Sequence, residues 1–177
     1  MPSALWSATP QGPDPASVWQ VRLPDEAATI DFGRFLADEL KVGDLVTLSG
    51  GLGAGKTTLA RVILRALAGD PDLEVPSPTF TLLQTYDTPR GAVAHADFYR
   101  IGSAAEVAEL GFDEIADRSV TLVEWPERAP EALSPIRLDV ALELDPRAGP
   151  EARVAILSAT GGFASRVARA MALRRLL

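Results

Sequence analysis

The chain contains 177 residues, of which 47% are hydrophobic and 23% are charged, as in one globular domain rather than a disordered protein. Its net charge of -7 argues against a surface that binds nucleic acid or an anionic membrane directly. The absence of cysteine excludes disulfides, zinc-thiolate sites and a cysteine nucleophile. Because there is no secretory signal and no apolar run of about 20 residues, we expect a soluble cytoplasmic protein that does not engage a membrane.

The spacing of apolar residues is irregular at the N-terminus of the chain and becomes periodic from residue 18. Residues 1–17 contain four prolines and little periodic hydrophobicity, which predicts a loose extension ahead of one domain over residues 18–177. Within that domain, the spacing of apolar residues distinguishes strands from helices. It predicts a strand at 18–23, a helix opened by Pro24 and Asp25, a buried strand at 45–49 and a helix at 57–67.

In the rest of the chain, shorter apolar runs are separated by loops that contain proline or glycine. Ser103, with Glu106 three residues later, forms a capping box that marks the start of a short helix, which ends at Gly111. The other predicted elements are antiparallel strands at 79–86 and 92–98 joined by a turn at 87–91, a buried strand at 119–125, a hairpin of strands at 136–144 and 152–159, and a final helix at 162–177. This order of elements predicts an α/β fold, in which a mixed β-sheet is flanked by helices in a three-layer sandwich.

A glycine-rich loop connects the buried strand at 45–49 to the following helix, and it fits the pattern G-x-x-x-x-G-K-[ST]. The backbone N–H groups of such a loop surround a nucleotide phosphate, and the helix N-terminus adds a favourable dipole. We therefore expect a P-loop NTPase-like fold that binds ATP and Mg²⁺. The expected contacts come from Gly51, Leu52, Gly53, Ala54, Gly55, Lys56, Thr57 and Thr58.

Two side chains of this loop have distinct expected roles. Lys56 should reach the β- and γ-phosphates, and the Thr57 hydroxyl should ligate Mg²⁺. The chain contains only one other lysine, Lys41, while arginine supplies its remaining cationic residues. A lysine in the loop of such an arginine-rich sequence indicates a requirement for a compact ammonium group.

Two carboxylates end predicted strands, and either can organise Mg²⁺ or orient a nucleophile. Asp97 follows the apolar run at 92–96, and Glu124 follows the run at 120–123. A carboxylate at the C-terminal end of a buried strand faces the crevice where α/β proteins bind their ligands. The alternative explanation for each is a solvated residue at the edge of the sheet.

Two neighbours of these carboxylates have structural as well as functional explanations. Trp125 follows Glu124, and its ring either closes over a bound nucleotide or simply packs in the core or in a lid. His95 is the only histidine of the chain, and a lone histidine more commonly makes a structural hydrogen bond than acts as a general base.

Four segments, in order, resemble the TsaE (YjeE) family of small bacterial ATPases of tRNA threonylcarbamoyladenosine biosynthesis. They are the loop at 50–58, which resembles GDLGAGKTT; the SPT-aromatic segment at 77–80; the HxDxYR segment at 95–100; and the LVEWP-type segment at 122–126. The similarity covers about residues 25–160. One departure is Gly51, where the family usually has aspartate.

The resemblance implies a role for each matching residue. Thr57, Asp97 and Glu124 would organise Mg²⁺, and Glu124 would also position the attacking water. A nucleotide-sensing switch would bring the hydroxyls of the SPT-aromatic segment to the phosphates or the metal. The implied catalytic residues are Lys56, Asp97 and Glu124, and the nucleotide contacts outside the loop are Ser77, Thr79 and Trp125.

The resemblance also implies a function and partners. Family members act with TsaD and TsaB subunits, which transfer a threonylcarbamoyl group to adenosine 37 of tRNA, and ATP hydrolysis resets that transferase. We expect slow turnover without the partners, only indirect contact with tRNA, and a monomer in the free state. Two alternatives stay open: a P-loop kinase of a small metabolite, although the lid candidate at 126–135 holds only Arg128, and a non-catalytic nucleotide-dependent binding module.

Overall fold

The computed structural model describes residues 5–10 and 18–175, whose strands form one mixed eight-stranded sheet. The strands are β1 (Ser7–Pro10), β2 (Val18–Leu23), β3 (Leu45–Ser49), β4 (Leu83–Thr88), β5 (Gly91–Asp97), β6 (Ser119–Glu124), β7 (Leu138–Leu144) and β8 (Arg153–Ala159). The helices are α1 (Glu26–Glu39), α2 (Lys56–Ala68), α3 (Ala104–Glu109), α4 (Phe112–Ala116) and α5 (Gly161–Arg175). Two short 3₁₀ turns, Pro126–Arg128 and Pro130–Ala132, follow β6.

The strands follow the order β1-β2-β8-β7-β3-β6-β5-β4 across the sheet. β3 lies between β7 and β6 and runs parallel to both, and β5 runs parallel to β6. The outer strands pair antiparallel. In the parallel centre, Leu48 of β3 and Asp97 of β5 both pair with Glu124 of β6. The carboxyl ends of three strands therefore meet at one edge of the sheet.

Successive strand residues point to opposite faces of the sheet, so its buried strands present apolar side chains on both faces. Helices cover each of these two faces. On one face α1, α2 and α5 pack over the larger cluster of buried side chains, to which Leu48 and Leu122 contribute. On the other face α3 and α4 pack over a smaller cluster that includes Val123. This arrangement confirms the predicted three-layer α/β fold. Across the part of the chain that the structure describes, no helix is both long and apolar enough to cross a membrane.

Local sequence signals account for several element boundaries. The helix predicted after Pro24 is confirmed, and the Asp25 side chain caps it by accepting a hydrogen bond from Ala28 N–H at 2.8 Å. The N-cap half of the predicted capping box is confirmed, since the Ser103 hydroxyl accepts from Glu106 N–H at the start of α3, whereas the Glu106 carboxylate accepts from Gly102 N–H instead of Ser103 N–H. The antiparallel pair of β4 and β5 and the hairpin of β7 and β8 are both present.

Three regions differ from the sequence-based predictions. Within the stretch predicted to be loose, β1 pairs with β2, and the Trp6 ring packs edge-on against Phe32 of α1. The strand predicted from residue 79 begins only at Leu83, because residues 78–82 form a turn in which Leu82 has a φ of 65°. The five-residue helix α4 is too short to show a helical period. Residues 1–4 and 11–17 of the predicted extension lie outside the described residues, and the division of the chain at residue 18 stays a prediction.

Gly33 allows α1 and α2 to pack at close range. A Cβ atom at this position would lie 2.6 Å from Val62 Cγ1 and 3.2 Å from Leu59 Cδ1. Because carbon atoms attract optimally only near 3.5–4.0 Å, even one methyl group would force the helices apart or the side chains out of their rotamers. The placement of α2, whose first turn carries Lys56, therefore depends on a glycine in the neighbouring helix.

We predict that Gly33→Ala lowers the free energy of unfolding by about 1 kcal/mol. Overpacking costs about 1–3 kcal/mol, and the gain of about 0.5–1 kcal/mol in helix propensity offsets only part of the cost in the middle of that range. The measurement is equilibrium denaturation in urea. Gly162→Ala in α5 is the matched control, because a Cβ there meets nothing within 4 Å and should be neutral or mildly stabilising. Equal behaviour of the two variants would contradict the close-packing explanation.

Candidate functional site

The glycine-rich loop connects the end of β3 to the start of α2 at the edge of the sheet where the parallel strands end. Gly50 has a φ of 134°, and a Cβ atom there would lie 2.3 Å from the Leu142 carbonyl oxygen. Gly55 has a φ of 106° immediately before the first residue of α2. These two positions accept only glycine without strain, since side chains rarely adopt such angles. The sequence therefore forms an open backbone loop that leads into a helix N-terminus.

Lys56 is the central cation of this site and is buried, with 5% of its surface exposed. Its ammonium donates hydrogen bonds to the Gly50 and Gly51 carbonyls at 2.7 and 2.9 Å, and it lies 3.8 Å from the centroid of the Trp125 ring. Trp125 reaches this position with a left-handed φ of 57°. Burial lowers the pKa of Lys56, and the carboxylates of Glu124, Glu127 and Asp97 oppose that shift.

Glu124 is a buried carboxylate that joins α2 to the sheet. Its Oε2 accepts a hydrogen bond from the Thr57 hydroxyl at 2.8 Å, and its Oε1 lies 2.9 Å from His95 Nε2. Only 2% of Glu124 is exposed, so both oxygens take protein donors in place of water. The first turn of α2 is thereby linked through one side chain to two neighbouring strands.

Asp97 lies beside Glu124 in the register of β5 and β6 and holds a different segment. Its Oδ2 accepts hydrogen bonds from the Thr79 hydroxyl at 2.7 Å and the Ser77 hydroxyl at 3.2 Å. Its Oδ1 accepts from the backbone N–H of Tyr99 at 2.8 Å. One carboxylate therefore attaches the loop at residues 75–82 to the end of the parallel sheet.

These groups surround a cleft of about 340 Å³. The Tyr99 ring packs against Trp125, with 5.0 Å between the centroids, and forms part of the wall. The cleft is lined by Leu52, Gly53, Gly55, Lys56, Thr57, Thr58, Ser77, Thr79, Asp97, Tyr99, Glu124 and Trp125.

A second cavity of about 190 Å³ lies on the far side of the same loop and shares Gly55 and Thr58 with the cleft. Arg153, at the start of β8, lines this cavity and donates a hydrogen bond from Nε to the Ala54 carbonyl at 3.1 Å. Glu26, in the first turn of α1, also lines the cavity. The loop thus separates a charged cleft from a smaller mixed cavity.

Most of the residues predicted from the sequence lie together around this cleft. The exceptions are Ala54, which lines the second cavity, and Gly51, which lines neither although its carbonyl accepts from Lys56. A Cβ atom at Gly51 would meet nothing within 4 Å. The Cβ atom of the aspartate that the family usually has would therefore meet no obstacle here, and the departure at this position removes a carboxylate. The roles of these residues toward a nucleotide or a metal stay predictions.

Sequence reasoning did not foresee three contacts of the site. Arg153 was not singled out, because its partner Ala54 lies about a hundred residues away and no motif joins them. The contact between the tilted rings of Tyr99 and Trp125 also follows from no sequence motif. The contact of His95 with Glu124 had a detectable signal, since His95 precedes Asp97 by two residues and therefore faces the same side of β5.

The donor set of the cleft suits a hard divalent cation. Mg²⁺ prefers oxygen ligands and usually combines one or two carboxylates with phosphate oxygens and water. Thr57, Asp97 and Glu124 offer one hydroxyl and two carboxylates next to the loop, all of them hard oxygen donors. The residues present therefore fit Mg²⁺ together with a nucleotide phosphate.

The α/β sheet, the loop and the helix that follows it define a P-loop protein. Residues 23–153 match the model of the family described as "Threonylcarbamoyl adenosine biosynthesis protein TsaE". The chain belongs to the TsaE family, a family of nucleotide-binding P-loop proteins of tRNA threonylcarbamoyladenosine biosynthesis.

Individual relatives agree with this family. The chain is 41% identical over 122 residues to the tRNA threonylcarbamoyladenosine biosynthesis protein TsaE of Rickettsia felis, covering 69% of this chain and 71% of the relative. It is also 41% identical over 130 residues to the Mycobacterium tuberculosis protein of the same name, covering 68% and 76%. The crystal structure of YdiB from Bacillus subtilis superposes with a TM-score of 0.72 at 28% identity, covering 89% of this chain and 96% of YdiB.

We predict that Asp97→Ala releases the loop at residues 75–82, because the Ser77 and Thr79 hydroxyls lose their shared acceptor. Amide hydrogens of this segment should exchange about tenfold faster or more, since hydrogen bonds to a charged group contribute about 1.5–3 kcal/mol. Hydrogen exchange with mass spectrometry measures the effect. Asp87→Ala, in the exposed β4–β5 hairpin, should leave the exchange of residues 75–82 unchanged. Unaltered exchange in the Asp97 variant would show that other contacts hold the loop.

Proposed function

We propose that this protein is a Mg²⁺-dependent ATPase that binds and resets the threonylcarbamoyl transferase complex acting on adenosine 37 of tRNA. The observation that carries the proposal is the hydrogen bond of 2.8 Å from Thr57, at the end of the phosphate-binding loop, to Glu124 at the end of β6. A P-loop hydroxyl and a strand-end carboxylate are the pair that holds Mg²⁺ in P-loop NTPases. Membership of the TsaE family supports the same reading.

The geometry gives each residue of the cleft a separate task. Lys56 places its ammonium at the mouth of the loop, where it can exchange the Gly50 and Gly51 carbonyls for phosphate oxygens. The Thr57 hydroxyl donates its hydrogen bond to Glu124, so the lone pairs of its oxygen remain available to a cation. When bound, Mg²⁺ would neutralise charge that develops on the phosphates. Glu124 would orient the attacking water and accept its proton.

The segment held by Asp97 would act as the nucleotide-sensing part. The Ser77 and Thr79 hydroxyls both point to one carboxylate oxygen, at 3.2 and 2.7 Å, which is also an oxygen that a cation would attract. Ligation of Mg²⁺ by Asp97, directly or through water, would weaken these hydrogen bonds and free both hydroxyls to turn toward the phosphates. The conformation of the loop at residues 75–82 would then depend on the bound nucleotide.

The partners and the location follow from the family and are part of the same proposal. The protein would act in the cytoplasm as a free monomer that joins TsaD- and TsaB-type subunits, and those subunits would hold the tRNA. The net charge of -7 supports an indirect role toward tRNA, because the phosphate backbone repels an acidic surface.

A metabolite kinase is the weaker alternative. Kinases of this type close a mobile, arginine-bearing lid over the phosphates. The corresponding stretch after β6 folds into two 3₁₀ turns, and the residues that directly follow them, Ala129 and Leu133, are buried in the smaller cluster of side chains. A segment anchored in the core in this way does not resemble a lid.

We predict that Lys56→Ala and Glu124→Ala separate ATP binding from ATP turnover. Lys56→Ala should reduce ATP affinity by about a hundredfold or more, because it removes the cation that faces the phosphates. Glu124→Ala should keep the ATP binding that the loop and Lys56 provide without Mg²⁺, but lower kcat by about a hundredfold or more, the contribution typical of a positioned general base. Calorimetric titration measures binding, and single-turnover assays measure hydrolysis.

Glu131→Ala, at an exposed glutamate of the second 3₁₀ turn, is the matched control and should behave as the wild type. Unchanged ATP affinity in the Lys56 variant would refute the P-loop assignment. If the Glu124 variant hydrolyses ATP as fast as the wild type, the catalytic role of Glu124 is wrong. A wild type that binds ATP without hydrolysing it would instead support the nucleotide-dependent binding module.

We predict that depletion of this protein in its host lowers the threonylcarbamoyladenosine content of tRNA, measured by nucleoside mass spectrometry. Wild-type protein should restore the modification, whereas the Lys56→Ala and Glu124→Ala variants should not, because both stop the ATPase cycle. An unchanged threonylcarbamoyladenosine signal after complete depletion would contradict the proposed role. A kinase of a small metabolite would leave that signal intact.

A further inference from the structure

His95, on β5, is fully buried next to the carboxylate of Glu124. Its position follows from the register of the sheet, where His95 pairs with Leu122 and Glu124 lies two residues further along β6. The two side chains are therefore diagonal neighbours on the same face of the parallel strands. His95 Nε2 lies 2.9 Å from Glu124 Oε1, within hydrogen-bond distance.

Only one of the two ring nitrogens of His95 has a hydrogen-bond partner among the described residues. A carboxylate oxygen can only accept, so Nε2 carries the proton and donates it to Glu124. Nδ1 is buried and has no hydrogen-bond partner among the described residues. His95 also does not line the cleft. The imidazole therefore neither meets a ligand nor relays a proton onward, and Glu124 is its one polar contact in the described part of the chain.

We propose that His95 is a positioning residue that orients the Glu124 carboxylate toward Thr57 and the metal. The terminal torsion of a glutamate is broad, so a single hydrogen bond leaves the carboxylate free to rotate. With Oε1 held by His95, Oε2 stays directed at the Thr57 hydroxyl, 2.8 Å away. The inference rests on the proposed function, because it assigns to Glu124 a role in binding Mg²⁺ and in hydrolysis.

Packing alone does not explain a histidine at this position. An imidazole surrounded by buried strands carries one unpaired nitrogen, which costs free energy that an apolar side chain of similar size would avoid. The donated N–H is what distinguishes histidine from such a residue. Partners that orient metal ligands typically contribute about 10–100-fold to metal affinity or activity, so the effect is measurable.

The test uses two variants of similar shape that differ in one donor. His95→Gln can place its amide N–H near the original Nε2, whereas His95→Met fills the same space without a donor. The primary readout is the ratio of ATP affinities with Mg²⁺ and with EDTA, measured by calorimetry, and the second readout is the separate determination of kcat and KM. Thermal unfolding is recorded for both variants.

His95→Met should reduce the Mg²⁺-dependent gain in ATP affinity and the kcat by about tenfold or more. Affinity in EDTA should stay within about twofold of the wild type, since the loop itself does not contact His95. His95→Gln should restore both quantities to within about threefold. Equal losses in the two variants, or no loss in either, would overturn the proposal.

A double-mutant cycle separates positioning from general stability. In the Glu124→Ala background, His95→Met should have no further effect on the Mg²⁺-dependent gain in affinity, because the carboxylate that it orients is absent. A further loss there would show that His95 acts independently of Glu124. If the wild type binds Mg²⁺ and ATP but does not hydrolyse ATP, the proposed ATPase fails, and the affinity ratio still decides the role of His95.

Discussion

The hydrogen bond between Thr57 and Glu124 is the interaction on which the rest of the site depends, because it joins the first turn of α2 to the end of β6. It requires β3 and β6 to run parallel with Leu48 opposite Glu124, so that the loop after β3 and the end of β6 lie at the same edge. The parallel pairing of β5 with β6 then places Asp97 beside Glu124. One sheet edge thus provides the glycine-rich loop, the hydroxyl and both carboxylates, as expected where ligands bind in α/β proteins.

Much of this arrangement could be predicted from the sequence because its determinants are local. The loop pattern at 50–57 specifies a strand before it and a helix after it, and both were correctly located. The positions of Asp97 and Glu124 needed only one additional rule, that the ends of parallel strands meet at one edge. Helix caps such as Asp25 can also be predicted from local sequence, since the capping side chain and the N–H that it accepts from lie within one turn.

Features that depend on distant residues could not be predicted in this way. The composition of residues 78–82 predicts a strand, but these residues form a turn. Hydrogen bonds to Asp97, at least 15 residues further along the chain, hold the loop that contains this turn. The segment that contains β1 is held in part by Trp6, which packs against two aromatic rings of α1. No pattern within residues 5–10 predicts that contact. The spacing of His95 and Asp97 indicates only that both face the same side of β5, and the contact of His95 with Glu124 follows once β5 and β6 are aligned. Sequence patterns describe single helices and strands, whereas each of these contacts joins two segments that are distant in the sequence.

The left-handed backbone of Trp125 has a consequence for how the free protein meets its ligand. A residue with a side chain in this region costs about 1–3 kcal/mol, and glycine would avoid the cost. Glycine would also leave one side of the Lys56 ammonium open to solvent, where the ring now lies at 3.8 Å. Folding therefore already removes much of the water around this charge, at the expense of some stability. Under the proposed function, a phosphate that binds at Lys56 would meet a partly dehydrated cation, so less of the desolvation penalty would fall on the binding step.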